Sequence, residues 1–222
     1  MNVRCIYDIP RACDMNIALD EIFFTKENFE ETFRFYSWIK PSYTIGYFQK
    51  FPVNKDSYPV VRRLTGGLSV LHNKDLSYSL IVSDKLWPYI YDQEKTYKLV
   101  HETIREALKS INIICDNISK ETDSVKNYSC VNTLYKDDLL LNGKKIVGSC
   151  QRRRGKRILV EGSIHLILQE EQKEIFTKNF FEILSKALKY DIIYSCINDF
   201  ELNLAKKLCE KRYSTDNWNK LF

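Results

Sequence analysis

The stretch LLLNGKKIVGSCQRRRGKRILVEGSIHLIL, residues 139–168, carries two chain reversals within thirty positions. Asn142-Gly143 is the two-residue signature of a tight hairpin, because both central positions of that turn need positive φ. It predicts one strand over 139–141 and a second over 145–150. Arg154-Gly155-Lys156 turns the chain again into a third strand over 158–168. Three antiparallel strands in succession exclude a purely parallel, doubly wound sheet.

Upstream, residues 5–9 read as a short strand, and Met15, Ala18, Leu19, Ile22 and Phe23 recur at helical spacing behind Asp14 as a candidate cap. That predicts a helix over 13–25. Residues 33–38 and 43–48 are β-rich and aromatic, and Pro41 separates them into two strands. Residues 68–71 and 76–82 add two more, the first preceded by Gly66-Gly67. Tyr97, Val100, Ile104, Ala107, Leu108 and Ile111 share one face of a helix over 93–111, opposite Lys98, Glu102, Arg105 and Lys109. Residues 115–135 are polar and weakly periodic, and read as a long excursion suited to function. Helices over 175–188 and 200–208 complete an α+β fold, an antiparallel-rich mixed sheet flanked by helices.

A chain of 222 residues with 44% hydrophobic residues can bury a sizeable core, which excludes disorder as its main state. No apolar run reaches bilayer-spanning length, and residues 1–10 lack the basic-then-apolar order of a signal peptide. The expectation is a soluble, cytoplasmic protein with no membrane partner. Seven cysteines, no two in Cys-x-x-Cys spacing, argue against a zinc site and against a disulfide scaffold. Most are then small buried thiols, and one is a candidate nucleophile. The net charge of +5 suits an acidic partner. Nucleic acid fits less well, because the basic run 152–157 is short and carries no interleaved aromatics.

Three features carry candidate chemistry: Arg62-Arg63-Leu64-Thr65-Gly66-Gly67 followed by His72, the hairpin Gly143 to Ser149, and Cys130 ahead of it. Each has a plain alternative. The arginines read equally as a solvated pair, the glycines as a turn and Lys145 as a strand-edge lysine that discourages aggregation. His72 reads as a structural or ligand-contacting group rather than a general base. The basic cluster Arg152, Arg153, Arg154, Lys156 and Arg157 reads as a solvated hairpin tip or as a dock for acidic proteins. Cys150 is a rival nucleophile, although a cysteine within a strand is more simply packing.

Taken together, these motifs resemble the biotin and lipoate protein ligase superfamily and, within it, the LipM-type octanoyltransferases. The resemblance runs from Met15 to Glu21 through Gly46-Tyr47-Phe48-Gln49, Arg63 to Gly67, His72 and Leu76 to Ser79, then Lys145 to Ser149 and Gly162-Ser163-Ile164. Cys130 stands fifteen positions before Lys145, the register of that family's acyl-accepting cysteine. Four positions depart from the family pattern: Leu68 follows Gly66-Gly67, Val131 follows Cys130, Cys150 follows Gly148-Ser149 where an alanine is usual, and Glu161 stands before Gly162 where a histidine is usual.

The resemblance implies a single catalytic domain over residues 1–222, of the biotin and lipoate ligase type. It implies octanoyl transfer from octanoyl acyl carrier protein to the lysine of a lipoyl domain such as the glycine-cleavage H protein, with no cofactor and no metal. Cys130 would carry the acyl group and Lys145 would favour its thiolate. Arg63, Thr65, Gly66, Gly67, His72, Gly148, Ser149 and Gly162 would bind substrate. Amides near Gly66-Gly67 or Gly148-Ser149 are candidate oxyanion donors, and Val70, Leu71, Ile146 and Val147 candidates to line an apolar slot. An ATP-dependent lipoate ligase, a transferase between lipoyl domains and a non-catalytic binding module remain alternatives.

Overall fold

The computed structural model describes residues 1–27, 30–52, 58–117 and 133–222. In chain order the elements are β1 (Asn2–Tyr7), α1 (Cys13–Thr25), β2 (Thr32–Tyr36), β3 (Ser42–Ile45), β4 (Val60–Arg62), β5 (Val70–His72), β6 (Leu76–Ser83) and α2 (Gln93–Lys109). They continue with β7 (Asp116–Asn117), β8 (Leu139–Leu141), β9 (Lys144–Arg154), β10 (Arg157–Ile164), α3 (Glu170–Leu188), β11 (Asp191–Tyr194) and α4 (Asp199–Leu208). A π-helical turn, Cys209–Tyr213, and the short α5 (Asp216–Asn219) follow.

Among the described residues, eight strands form one sheet in the order β11-β1-β2-β6-β10-β9-β8-β7, and β4-β3-β5 form a second, smaller sheet. The meander expected from residues 139–168 forms β10-β9-β8, in one half of the eight-stranded sheet. Asn142 and Gly143 take φ of 50° and 73°, the left-handed geometry a two-residue hairpin demands. β9 then pairs antiparallel with β10, and β10 with β6. The sheet is mixed because β1 runs parallel to both β2 and β11. The strand over Asp191–Tyr194 was not anticipated, since it depends on parallel pairing with β1, far away in the sequence.

Strict alternation along the central strands sorts two cores. Phe33, Phe35, Leu76, Tyr78, Leu80, Ile158 and Val160 face α2 and α3, packed with Trp87, Val100, Ile104, Phe176 and Phe180. The opposite face carries Ile81 and Leu159 against Ile17, Leu19 and Phe23 of α1 and Ala205 of α4. The intervening positions on that second face are polar. Arg34 and Ser79 are register partners, as are Ser79 and Glu161, and Ser77 and Ser163. Buried polar groups of this kind need partners. Arg34, fully buried, is held between Asp8 and Asp20 at 2.8 and 2.9 Å, and Ser79 donates to Asp20 at 2.6 Å.

Helix α1 spans the expected 13–25, but Asp14 does not cap it. The residue before the helix is Ala12, and Asp14 instead accepts from the Met15 amide and from Ser214 Oγ. Among the described residues no helix is long and apolar enough to cross a membrane.

Candidate active site

A cavity of about 390 Å³ opens between the main sheet, the small sheet and α2. That falls in the range of roughly 300–1,000 Å³ typical of small-ligand pockets. Arg63, Gly66, Gly67 and His72 reach its wall from the small sheet and the loop after β4. Lys145, Gly148, Ser149 and Gly162 reach it from β9 and β10. Thr65 is fully buried just behind, bonded to Arg63 Nε and to Glu161. Residues over 60 positions apart in sequence are thus brought to one cavity, while Cys130 lies outside the described residues.

Lys145 is not a strand-edge lysine. Its side chain is 2% exposed, its ammonium sits 2.6 Å from Asp138 Oδ2, and it donates to the Thr133 carbonyl at 3.0 Å. Tyr135 places its ring 5.4 Å from the same nitrogen. Asp138 went unrecognised as a site residue in the sequence. A register shift between Leu139 and Leu140 sets its position, and turn signals alone do not reveal such a shift.

The chain holds three histidines, and all of them line this cavity. His72 lies between Asp75 Oδ2 at 2.8 Å and Thr44 Oγ1 at 2.9 Å, with its ring stacked 3.9 Å from Trp38. Burial alone would raise the Asp75 carboxyl, yet the facing His72, with help from Ser163, holds it well below the usual carboxylate range. His72 is therefore fixed in orientation. His101 was missed, although it lies four residues after Tyr97 on the face of α2 already read as buried. Its Nδ1 donates to the Asp137 carbonyl at 2.7 Å, leaving Nε2 to accept from Ser149 Oγ at 2.6 Å. Ser149 in turn meets the Tyr78 hydroxyl at 2.5 Å. Burial lowers the His101 pKa, which keeps the ring neutral and suited to accept.

Gly162 is required by Tyr78. A Cβ at this position would stand 2.2 Å from the Tyr78 hydroxyl and 2.7 Å from the Gly148 carbonyl. Beside it, Glu161 is 5% exposed and lines the cavity. Its Oε2 accepts from Thr65 Oγ1, whereas its Oε1 has no hydrogen-bond partner among the described residues. Burial first, and the charge of Asp20 second, push its carboxyl up to about 7 against the opposing pull of Thr65, Arg63 and Arg152.

Several expectations are corrected. Ile146 and Val147 lie in the core of the main sheet and Leu71 is 37% exposed, so the cavity's apolar wall is made instead by Ile17, Trp38, Leu68, Val70, Tyr97 and Tyr135. Neither Arg62 nor Arg63 is solvated. Arg62 binds the carbonyls of Gly46, Tyr47, Gln49, Trp218 and Asn219, tying the loop after β3 to the C-terminal segment. The basic tip is only partly a solvated turn. Arg152 donates to the Leu64 carbonyl at 2.8 Å, Arg153 to that of Ile90, and Arg157 to that of Lys26 at 2.8 Å.

Residues 13–191 match the lipoyl protein ligase A/B catalytic domain. The chain belongs to the lipoyl protein ligase A/B catalytic-domain family. Within reach of that family, the octanoyltransferase LipM of Clostridioides difficile (strain 630) is 28% identical, with 98% of both chains covered. The octanoyltransferase LipM of Brevibacillus brevis is 27% identical over 92% of this chain and 94% of its own length. The bipartite lipoate protein ligase of Thermoplasma acidophilum superposes with a TM-score of 0.76 at 20% identity, covering 100% of this chain and 98% of that one. At that identity the superposition establishes the fold, a mixed sheet flanked by helices of the lipoyl ligase type.

Proposed function

We propose that this cavity transfers octanoate from octanoyl acyl carrier protein to the lysine of a lipoyl domain, through a thioester on Cys130. That the chain is an octanoyltransferase of lipoate biosynthesis rests on its LipM relatives, alike along nearly the whole length of both chains. Lipoyl-domain proteins are its partners in general, and the glycine-cleavage H protein is the acceptor proposed here. The whole chain is proposed to work as one catalytic unit.

The observation that carries the mechanism is the position of Lys145. Its ammonium is buried in the cavity wall and bonded to the carbonyl of Thr133, three residues after Cys130. A thiol at its ordinary pKa is only a few per cent thiolate near pH 7, and a nearby ammonium favours the charged form. Asp138 offsets part of that effect and fixes where the ammonium sits. Octanoate passes from one thiol to another at little free-energy cost, and then downhill to an amine, since an amide is more stable than a thioester. Nucleotide is not consumed. His72, locked by Asp75 and Thr44, and the amides near Gly66 and Gly148 border the volume where the acyl carbonyl would lie, while Trp38, Leu68 and Val70 would flank its tail.

The test is transfer from octanoyl acyl carrier protein to a lipoyl domain without ATP, comparing wild type with Cys130→Ala. Loss of at least about a thousandfold in Cys130→Ala is expected for a missing nucleophile. Activity that survives the substitution and requires ATP would establish a ligase instead.

A further inference from the structure

Among the described residues, the cavity wall holds one buried side-chain oxygen without a hydrogen-bond partner. Glu161 Oε1 is buried with no hydrogen-bond partner, while Thr65 satisfies the other oxygen of the same carboxyl. An unsatisfied buried acceptor costs about 1–3 kcal/mol, so native structures keep one where a ligand or a reaction supplies the donor. Strand alternation places this side chain deliberately. Glu161 pairs across the sheet with Ser79 and Cys150, on the polar side of the central strands.

Resting on the acyl-transfer reading above, we propose that Glu161 is the group that receives the acceptor lysine and takes its proton. The lysine ε-ammonium hydrogen-bonds to Oε1 and gives it one proton. The neutral amine's lone pair then attacks the carbonyl carbon of the enzyme-bound thioester. The carbon–sulfur bond breaks with its electron pair on sulfur, the attacking nitrogen's surplus proton goes to that sulfur, and an amide and a free thiol result. Glu161 returns its proton to solvent.

Other cavity groups are less suited to this step. His72 is engaged on both ring nitrogens, and so is His101. Lys145 is already a cation held by Asp138. His165 is only partly buried, so water can satisfy it. A carboxyl at about 7 stands close to working pH, where a general base is most effective. The charged and titratable groups facing it are Asp20 of α1, Tyr36 of β2, Arg63 after β4, Arg152 and Cys150 of β9, and Tyr213 of the π-helical turn. The arginines keep the carboxylate accessible, and Asp20 with burial keeps it basic.

The test separates acyl loading from acyl discharge. Wild type and Glu161→Gln, a substitution of equal size, are charged with octanoate and then offered either a lipoyl domain or hydroxylamine, an amine already neutral at pH 7. Discharge to the lipoyl lysine is expected to fall by about a hundredfold or more in Glu161→Gln, with loading and discharge to hydroxylamine within about threefold of wild type. Equal losses with both amines, or no loss, would overturn the assignment. Wild type that accepts no octanoate would instead overturn the acyl-transfer reading, and a second measurement then decides the role of Glu161. In protein labelled with carbon-13 at glutamate δ-carbons, one resonance absent from Glu161→Gln should titrate near pH 7. Added n-butylamine should move that midpoint downward, and a resonance indifferent to the amine would overturn the proposal.

Discussion

Lys145 and Asp138 are 2% and 5% exposed, so neither charge has water to replace its partner. Removing one member of such a pair strands the other, a loss of about 3–5 kcal/mol. Lys145→Ala should therefore lose stability on that scale in urea denaturation, and Lys145→Met with Asp138→Leu should recover most of it. A single variant within about 1 kcal/mol of wild type would show that the pair is not closed as described. Lys145→Ala should also raise the pH midpoint for alkylation of Cys130. Glu161 makes a separate prediction with a definite sign. Its folded pKa of about 7 lies above the ordinary 4.5, so the folded protein binds this proton more tightly than the unfolded chain. Relative to Glu161→Gln, wild type should be most stable below about pH 4.5 and lose that margin as pH rises through about 7. Parallel stability curves for the two proteins across this range would contradict it.

Strands β8, β9 and β10 were legible because their signals are local. Asn142-Gly143 states its own turn, and the unbroken apolar run Ile158, Leu159 and Val160 states a strand buried on both faces. Helix α1 was legible for the same reason, since its periodicity is carried within thirteen residues. What escaped was non-local. Strand β11 exists because β1 offers it a parallel edge, and Asp138 meets Lys145 only through a register shift. His101 escaped for a different reason: helical spacing shows that a side chain is buried, and not whether it is buried against apolar atoms or against a ligand. Arg62 shows the same limit. Its charge suggested solvent, yet five carbonyls from two distant segments converge on it. Arg62→Ala should release the C-terminal segment, seen as faster tryptic cleavage at Lys220 and Arg212 while the central sheet stays resistant. Unchanged cleavage would mean that Trp218 and Tyr213 packing holds that segment alone. Gly162→Ala should be worse tolerated than Arg62→Ala, because the added methyl meets the Tyr78 ring and the Gly148 backbone together.

Across the whole molecule, two apolar cores clamp the main sheet from opposite faces, and the polar side of the central strands runs between α1 and the small sheet into one cavity. The motifs singled out in the sequence as separate features, the Arg63 to Gly67 loop, His72 and the Lys145 to Ser149 strand, meet there. The amino-acid order shows that these groups exist, while their convergence depends on sheet order, which no single motif contains. In the proposed mechanism, acyl transfer runs through one thiol of seven. After brief exposure to octanoyl acyl carrier protein without nucleotide, peptide mass spectrometry should find a single octanoyl group, on Cys130, and the intact mass of Cys130→Ala should be unchanged. An octanoyl group on Cys150 or Ser149, or an acylated Cys130→Ala, would contradict it.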